Sequence, residues 1–204
     1  MWAGMAIPPS RVTRERVERL STGLPERPWD REARYAAAGV PRSTIHFLIR
    51  RGGARLVDRV VGEAGADLRR ACFFFGERLK GLRRHGVAVQ AVAPERWVEL
   101  FRLAAGRPVV WENWSRLVRR MAAEPALPVA DLAAAEGLGT APDGWLEGVP
   151  VAWRQAVAEA YDGNRERVAR HLLGRLLTGL RGKVAVAEVA GAVERQMMTW
   201  GDGR

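Results

Sequence analysis

Apolar residues recur at three- and four-residue spacing along almost the whole chain, and strict alternation is nearly absent. That rhythm lines one face of an α-helix and does not line one face of a strand. Glycine and proline punctuate it where helices should stop. The opening arm "MWAGMAIPPS" cannot be helical across Pro8-Pro9. Thr13 is placed to cap a short helix ending before Gly23 and Pro25. A second helix runs from Trp29 towards Gly39, and a third follows Pro41, with Ser43 near its start, to the Gly52-Gly53 break. Longer helices are predicted over Ala54–Ala64, Asp67–Arg84, Glu95–Ala105 and Val109–Ala123. "EPALP" breaks the chain, "PVADLAAAEGLG" gives one more short helix, and a loop, "TAPDGWLEGVP", follows. Three last helices are predicted over Val151–Tyr161, Arg165–Leu180 and Val186–Thr199.

The expected fold is therefore all-α and multi-helical, without internal repeats. It divides softly into an N-terminal arm with short helices (1–53), a helical subdomain (54–139) and a three-helix tail (140–204). A chain of 204 residues can bury enough surface to need no disulfide or metal staple. Its single cysteine, Cys72 in "ACFFFG", reads as a small buried hydrophobe of a reduced, cytoplasmic protein. No apolar run approaches the ~20 residues that a membrane span requires, and no signal peptide is evident.

Charge narrows the choice of partner. The formal net charge is +10, which points to polyanions, with nucleic acid ahead of a membrane surface. Only Lys80 and Lys183 are lysines among the 33 basic residues. A GC-rich genome produces such a bias, and wherever the arginines are exposed they act as planar, bidentate phosphate binders.

No catalytic constellation is visible. One cysteine and three widely spaced histidines cannot build a zinc site alone, and HExxH is missing. "GLRGKV" fails as a phosphate-binding P-loop, because Leu177 and Val184 occupy positions that need Gly and Ser or Thr. "DGN" at Asp162–Asn164 is a turn and not a calcium loop. His46, His85 and His171 read as structural. No cofactor or metal is expected, and the chain reads as a non-enzyme.

The informative stretch is "HLLGRLLTGLRGKVAV", His171–Val186, which keeps glycines inside an amphipathic pattern. Wound at ~100° per residue, Val168, Ala169, Leu172, Leu173, Leu176 and Leu180 share one side. Arg167, Arg170, Gly174, Thr178 and Arg181 fall opposite. A mid-helix glycine costs about 1 kcal/mol against alanine, so Gly174 needs a reason. Two stand open: close approach of a phosphate backbone bracketed by arginines, or close packing of a neighbouring helix. Gly179 and Gly182 are expected to end the helix. Arg181 and Lys183 then sit near the N-terminus of the last helix, where its dipole would add to an anion site.

This stretch also carries a resemblance. "DGNRERVARHLLGRLLTGLRGKVAVAEVAGAVERQM" resembles the C-terminal tail of the GatB/YqeY group, whose glycine and basic positions are matched by Gly163, Leu172 or Leu173, Gly174, Arg181, Gly182 and Lys183. "IPPSRVTRERVERLSTGLPERP", "LKGLRRHGVAV" and "ELFRLAAGRPVVWENWSRLVRRMA" resemble, in the same order, segments of tRNA-dependent amidotransferase subunits, most closely the archaeal GatE type. Two departures are clear. Leu177-Thr178 replaces the family's Met-Lys, and "GRPVVWENW" lacks the lysine of its "GKI-x-KEAI".

The resemblance implies a helical and tail region, spanning 54–204, that binds the outer corner of tRNA while a partner transamidates. The implied partners are tRNA, of the tRNA-Gln class, and an amidotransferase catalytic subunit. The basic helical face and the matched motif together give the candidate tRNA contacts Arg167, Arg170, Gly174, Arg175, Thr178, Arg181, Gly182 and Lys183. The family's ATP-binding cradle has no counterpart in the sequence, so the chain is expected to be a fragment or a stand-alone gene for the accessory part. A different class of function stays open: a protein-interaction module that docks through Trp111 and Trp114 or keeps them in its core.

Overall fold

The computed structural model describes residues 12–22, 24, 26–159 and 164–199; the opening arm and the turn at Tyr161–Gly163 lie outside them. Among the described residues there is no strand, and the protein is all-α. The N-terminal helices are α1 (Arg14–Thr22), α2 (Pro28–Ala37), α3 (Arg42–Arg50) and α4 (Gly53–Ala64). Next come α5 (Leu68–Phe73), a π-helical turn (Phe74–Arg78) and α6 (Leu79–Arg84). The helices α7 (Pro94–Ala104), α8 (Pro108–Glu112), α9 (Trp114–Ala123) and α10 (Val129–Ala135) complete the body. The tail is α11 (Gly148–Glu159), α12 (Arg165–Leu180) and α13 (Val186–Thr199).

Local chemistry explains the starts. The Thr13 hydroxyl accepts from the Arg16 N–H at 3.2 Å, and the Asp67 carboxylate from the Arg70 N–H at 2.7 Å. Each satisfies a donor that the first turn leaves orphaned. Proline opens α2, α7 and α8, where its missing N–H has no consequence.

One hydrophobic core runs from Tyr35 to Ala133, so the turn at Gly52-Gly53 lies inside a packed unit. Phe74 is fully buried at its centre. Its ring lies 5.1 Å from Trp114, 5.2 Å from Phe75, 5.3 Å from Phe101 and 5.9 Å from Trp97, all edge to face. Such pairs add to the burial term. Cys72 is buried beside them, and burial pushes its thiol up to about 12. The tail has its own small clusters, Trp153, Ala156, Val168, Leu172 and Val193 in one and Leu180, Val184 and Val189 in the other.

Several expectations are corrected. The helix predicted over Asp67–Arg84 is not regular: the Leu79 N–H reaches the Phe74 carbonyl five residues back. Glycine is needed in that turn, since a Cβ on Gly76 would stand 2.5 Å from the Thr44 methyl carbon of α3. Val109–Ala123 is broken at Asn113, whose side-chain amide donates to the Val109 carbonyl at 2.8 Å. The last-but-two helix starts at Gly148 and not at Val151, because Pro150 fits in a first turn. Gly179 lies within α12 and does not end it.

Candidate nucleic-acid interface

Helix α12 is positioned by its cap and its apolar side. The Asn164 side chain accepts from the N–H groups of Glu166 (3.1 Å) and Arg167 (3.2 Å). Val168 and Leu172 are buried against α11 and α13, and Leu180 is buried in the cluster with Val184 and Val189. With that side facing the tail's own core, the opposite side is left to solvent. Arg167, Arg170, Gly174, Thr178 and Arg181 are all exposed.

A Cβ built on Gly174 would meet nothing within 4 Å. No neighbouring helix packs there, which removes the packing explanation for this glycine. What it offers is room and not a donor, because a helical N–H is spent on the carbonyl four residues back. The Thr178 hydroxyl donates to the Gly174 carbonyl at 3.0 Å, occupying one lone pair of the oxygen that would repel an anion. Among the described residues Arg170 and Arg181 have no carboxylate partner.

The remaining candidates are placed differently. Arg175 turns to α11 and forms an ion pair with Glu159 at 2.7 Å, with His171 3.4 Å from the same carboxylate. The Arg175 hydrogen bond, then that of His171, holds the Glu159 carboxyl below its ordinary range. Lys183 is exposed in the turn between α12 and α13. Gly182 is buried with φ +83°, a conformation that favours glycine. Its carbonyl accepts from the Gly139 N–H at 2.9 Å, and its α-carbon faces Leu138 and Asn113. Gly182 is thus a joint between tail and body, not part of the exposed face.

Glu112 was not legible as a contributor. Both its carboxylate oxygens accept from the Val186 N–H at 3.2 Å, across 74 residues of sequence. The N-terminus of α13, expected to help bind an external anion, is already served by this internal carboxylate. Elsewhere on the body, acidic residues hold arginines. Glu26 and Asp58 engage Arg31 and Arg34, and Glu136 and Glu124 engage Arg120, with Arg116 also on Glu136. Trp111 and Trp114 are half-buried against Phe74, in the core rather than displayed. Among the described residues no cluster of His, Cys, Asp and Glu could hold a metal, and no helix is long and apolar enough to cross a membrane.

No protein-family profile matches the chain, and no solved structure matches it. Over 126 residues, 61% of the chain, it is 25% identical to the E-type subunit of glutamyl-tRNA(Gln) amidotransferase from Methanopyrus kandleri. The matched stretch spans 20% of that protein's length. The similarity relates this chain to part of an amidotransferase subunit.

Proposed function

We propose that the chain is a tRNA-binding module of the GatB/YqeY kind, cytoplasmic and non-catalytic, which holds tRNA for transamidation by an amidotransferase partner. The observation that carries this reading is the exposed α12 face, where arginines surround a glycine on which nothing packs. The net charge of +10 supplies the long-range attraction. Recognition by backbone and shape suits a surface rich in arginine and without base-reading motifs. The partial similarity to an amidotransferase subunit points to tRNA, of the tRNA-Gln class, as the RNA.

The test is tRNA affinity over a salt series for the wild type and for Arg167→Ala/Arg170→Ala/Arg181→Ala. Each lost phosphate contact should flatten the slope of log affinity against log salt by roughly 0.7 to 0.9. An unchanged slope in the triple variant would overturn the reading of this face.

One observation favours a second role, assembly with a protein partner. Helix α1 buries no residue, and its Val17 and Leu20, with Leu24 and Trp29 beyond, remain exposed. Under this reading without RNA binding, wild type and triple variant would both ignore tRNA.

A further inference from the structure

The π turn has a consequence for charge. Arg70 and Arg78 stand eight positions apart. On a regular helix that separation puts them about 80° out of phase. The wider turn at Phe74–Arg78 takes up one residue, so the pair is related as i and i+7, within about 20° of one line. Both guanidinium groups meet the same indole. Arg70 lies 4.1 Å and Arg78 5.4 Å from the Trp111 ring centroid, and Arg78 also approaches Trp114 at 6.0 Å.

Both arginines are exposed, and among the described residues neither has a carboxylate partner, although most acidic residues of the body are engaged with other arginines. A guanidinium laid on an aromatic face keeps its N–H edge free for in-plane, bidentate hydrogen bonds. Its rotamers are already restricted, so less entropy is lost when it binds. A pocket of ≈ 130 Å³ opens beside Arg70 and Trp111, lined also by Ala66, Phe101, Ala104 and Asp67, whose carboxylate is engaged by the Arg70 backbone N–H. The surface there is concave, which lets a strand settle against it.

We infer that Arg70 and Arg78, aligned by the π turn and held on Trp111, form a phosphate clamp for the RNA backbone on the helical body, separate from the α12 face. This clamp rests on the RNA-binding reading and extends it to a second contact. RNA is the occupant the observations favour, because the bidentate N–H forks match phosphate oxygens and the net charge of +10 attracts a polyanion.

The experiment measures full-length tRNA binding to the whole chain in a salt series, with wild type, Arg70→Gln/Arg78→Gln, Arg70→Lys/Arg78→Lys and the α12 triple-alanine variant. The glutamine pair should weaken binding at least tenfold and flatten the salt slope by roughly 0.7 to 0.9 per arginine. The lysine pair should restore the slope and only part of the affinity, since charge returns without the planar fork. The fold is checked by circular dichroism and melting temperature. If the glutamine pair melts lower but binds tRNA with unchanged affinity and slope, the stacking is structural only and the clamp is overturned. If that happens while the α12 variant loses binding, the RNA-binding reading survives alone. If neither variant changes binding, or wild type ignores tRNA, both fail.

Discussion

Gly174→Ala should make this protein more stable. Alanine exceeds glycine in helix interiors by roughly 0.5 to 1 kcal/mol, because glycine loses more backbone entropy on folding. That gain is realised only where the new methyl group meets no atom and the backbone is already helical. Gly174 meets both conditions. It lies well inside α12, it is not among the glycines of positive φ, and its built Cβ has no neighbour within 4 Å. At this chain size such a gain corresponds to roughly 1 to 4 °C in Tm. Because the tail has hydrophobic clusters of its own, amide hydrogen exchange within α12 is the more direct readout. Protection there should rise by up to about 1 kcal/mol. Gly174→Leu should also leave stability intact while weakening tRNA binding, since a branched side chain keeps a phosphate backbone off the helix. Loss of protection or a lower Tm in Gly174→Ala would mean that a neighbour packs on this glycine, and the reasoning about the face would fall. Thr178→Lys adds a cation one turn away and should tighten tRNA binding.

Gly76→Ala should behave oppositely and destabilise by about 1 to 3 kcal/mol in chemical denaturation, because its Cβ would stand 2.5 Å from buried Thr44; a neutral result would mean that α3 can withdraw freely. Glu112→Ala should lower stability by about 0.5 to 2 kcal/mol and speed proteolysis of the 140–150 loop, since it removes the acceptor for the Val186 N–H; an unaltered cleavage rate would refute the docking role. The Glu26 carboxyl, hydrogen-bonded first by Arg34 and also by Arg31, is held below its usual 4.5. Its contribution is therefore complete above that value and lost as pH falls through the lower folded one. The Tm difference between wild type and Glu26→Gln should be constant near neutrality and shrink below about pH 4; a difference that grows on acidification would contradict the assignment.

The sequence alone determined whatever depends on near neighbours in the chain. The extent of helix α12, Arg165–Leu180, was legible because the apolar period supplies a single buried side, although Gly179, expected to end it, lies inside it. The division of that helix into apolar and basic faces followed from the same period. Gly174 marks the limit. A tightly packed neighbour and an open surface both call for a residue without a side chain, so only the placement of the other helices could separate them. The π turn marks it again, since it depends on Gly76 meeting Thr44 across α3 and on Phe74 settling among Trp97, Phe101 and Trp114. Without that turn the spacing of Arg70 and Arg78 reads as two different faces. Glu112 reaches Val186 across 74 residues, and no local pattern encodes such a pairing. Local periodicity sets which face of a helix is apolar; the packing of distant helices decides which glycine stays open, which arginines align and which helix end is already satisfied.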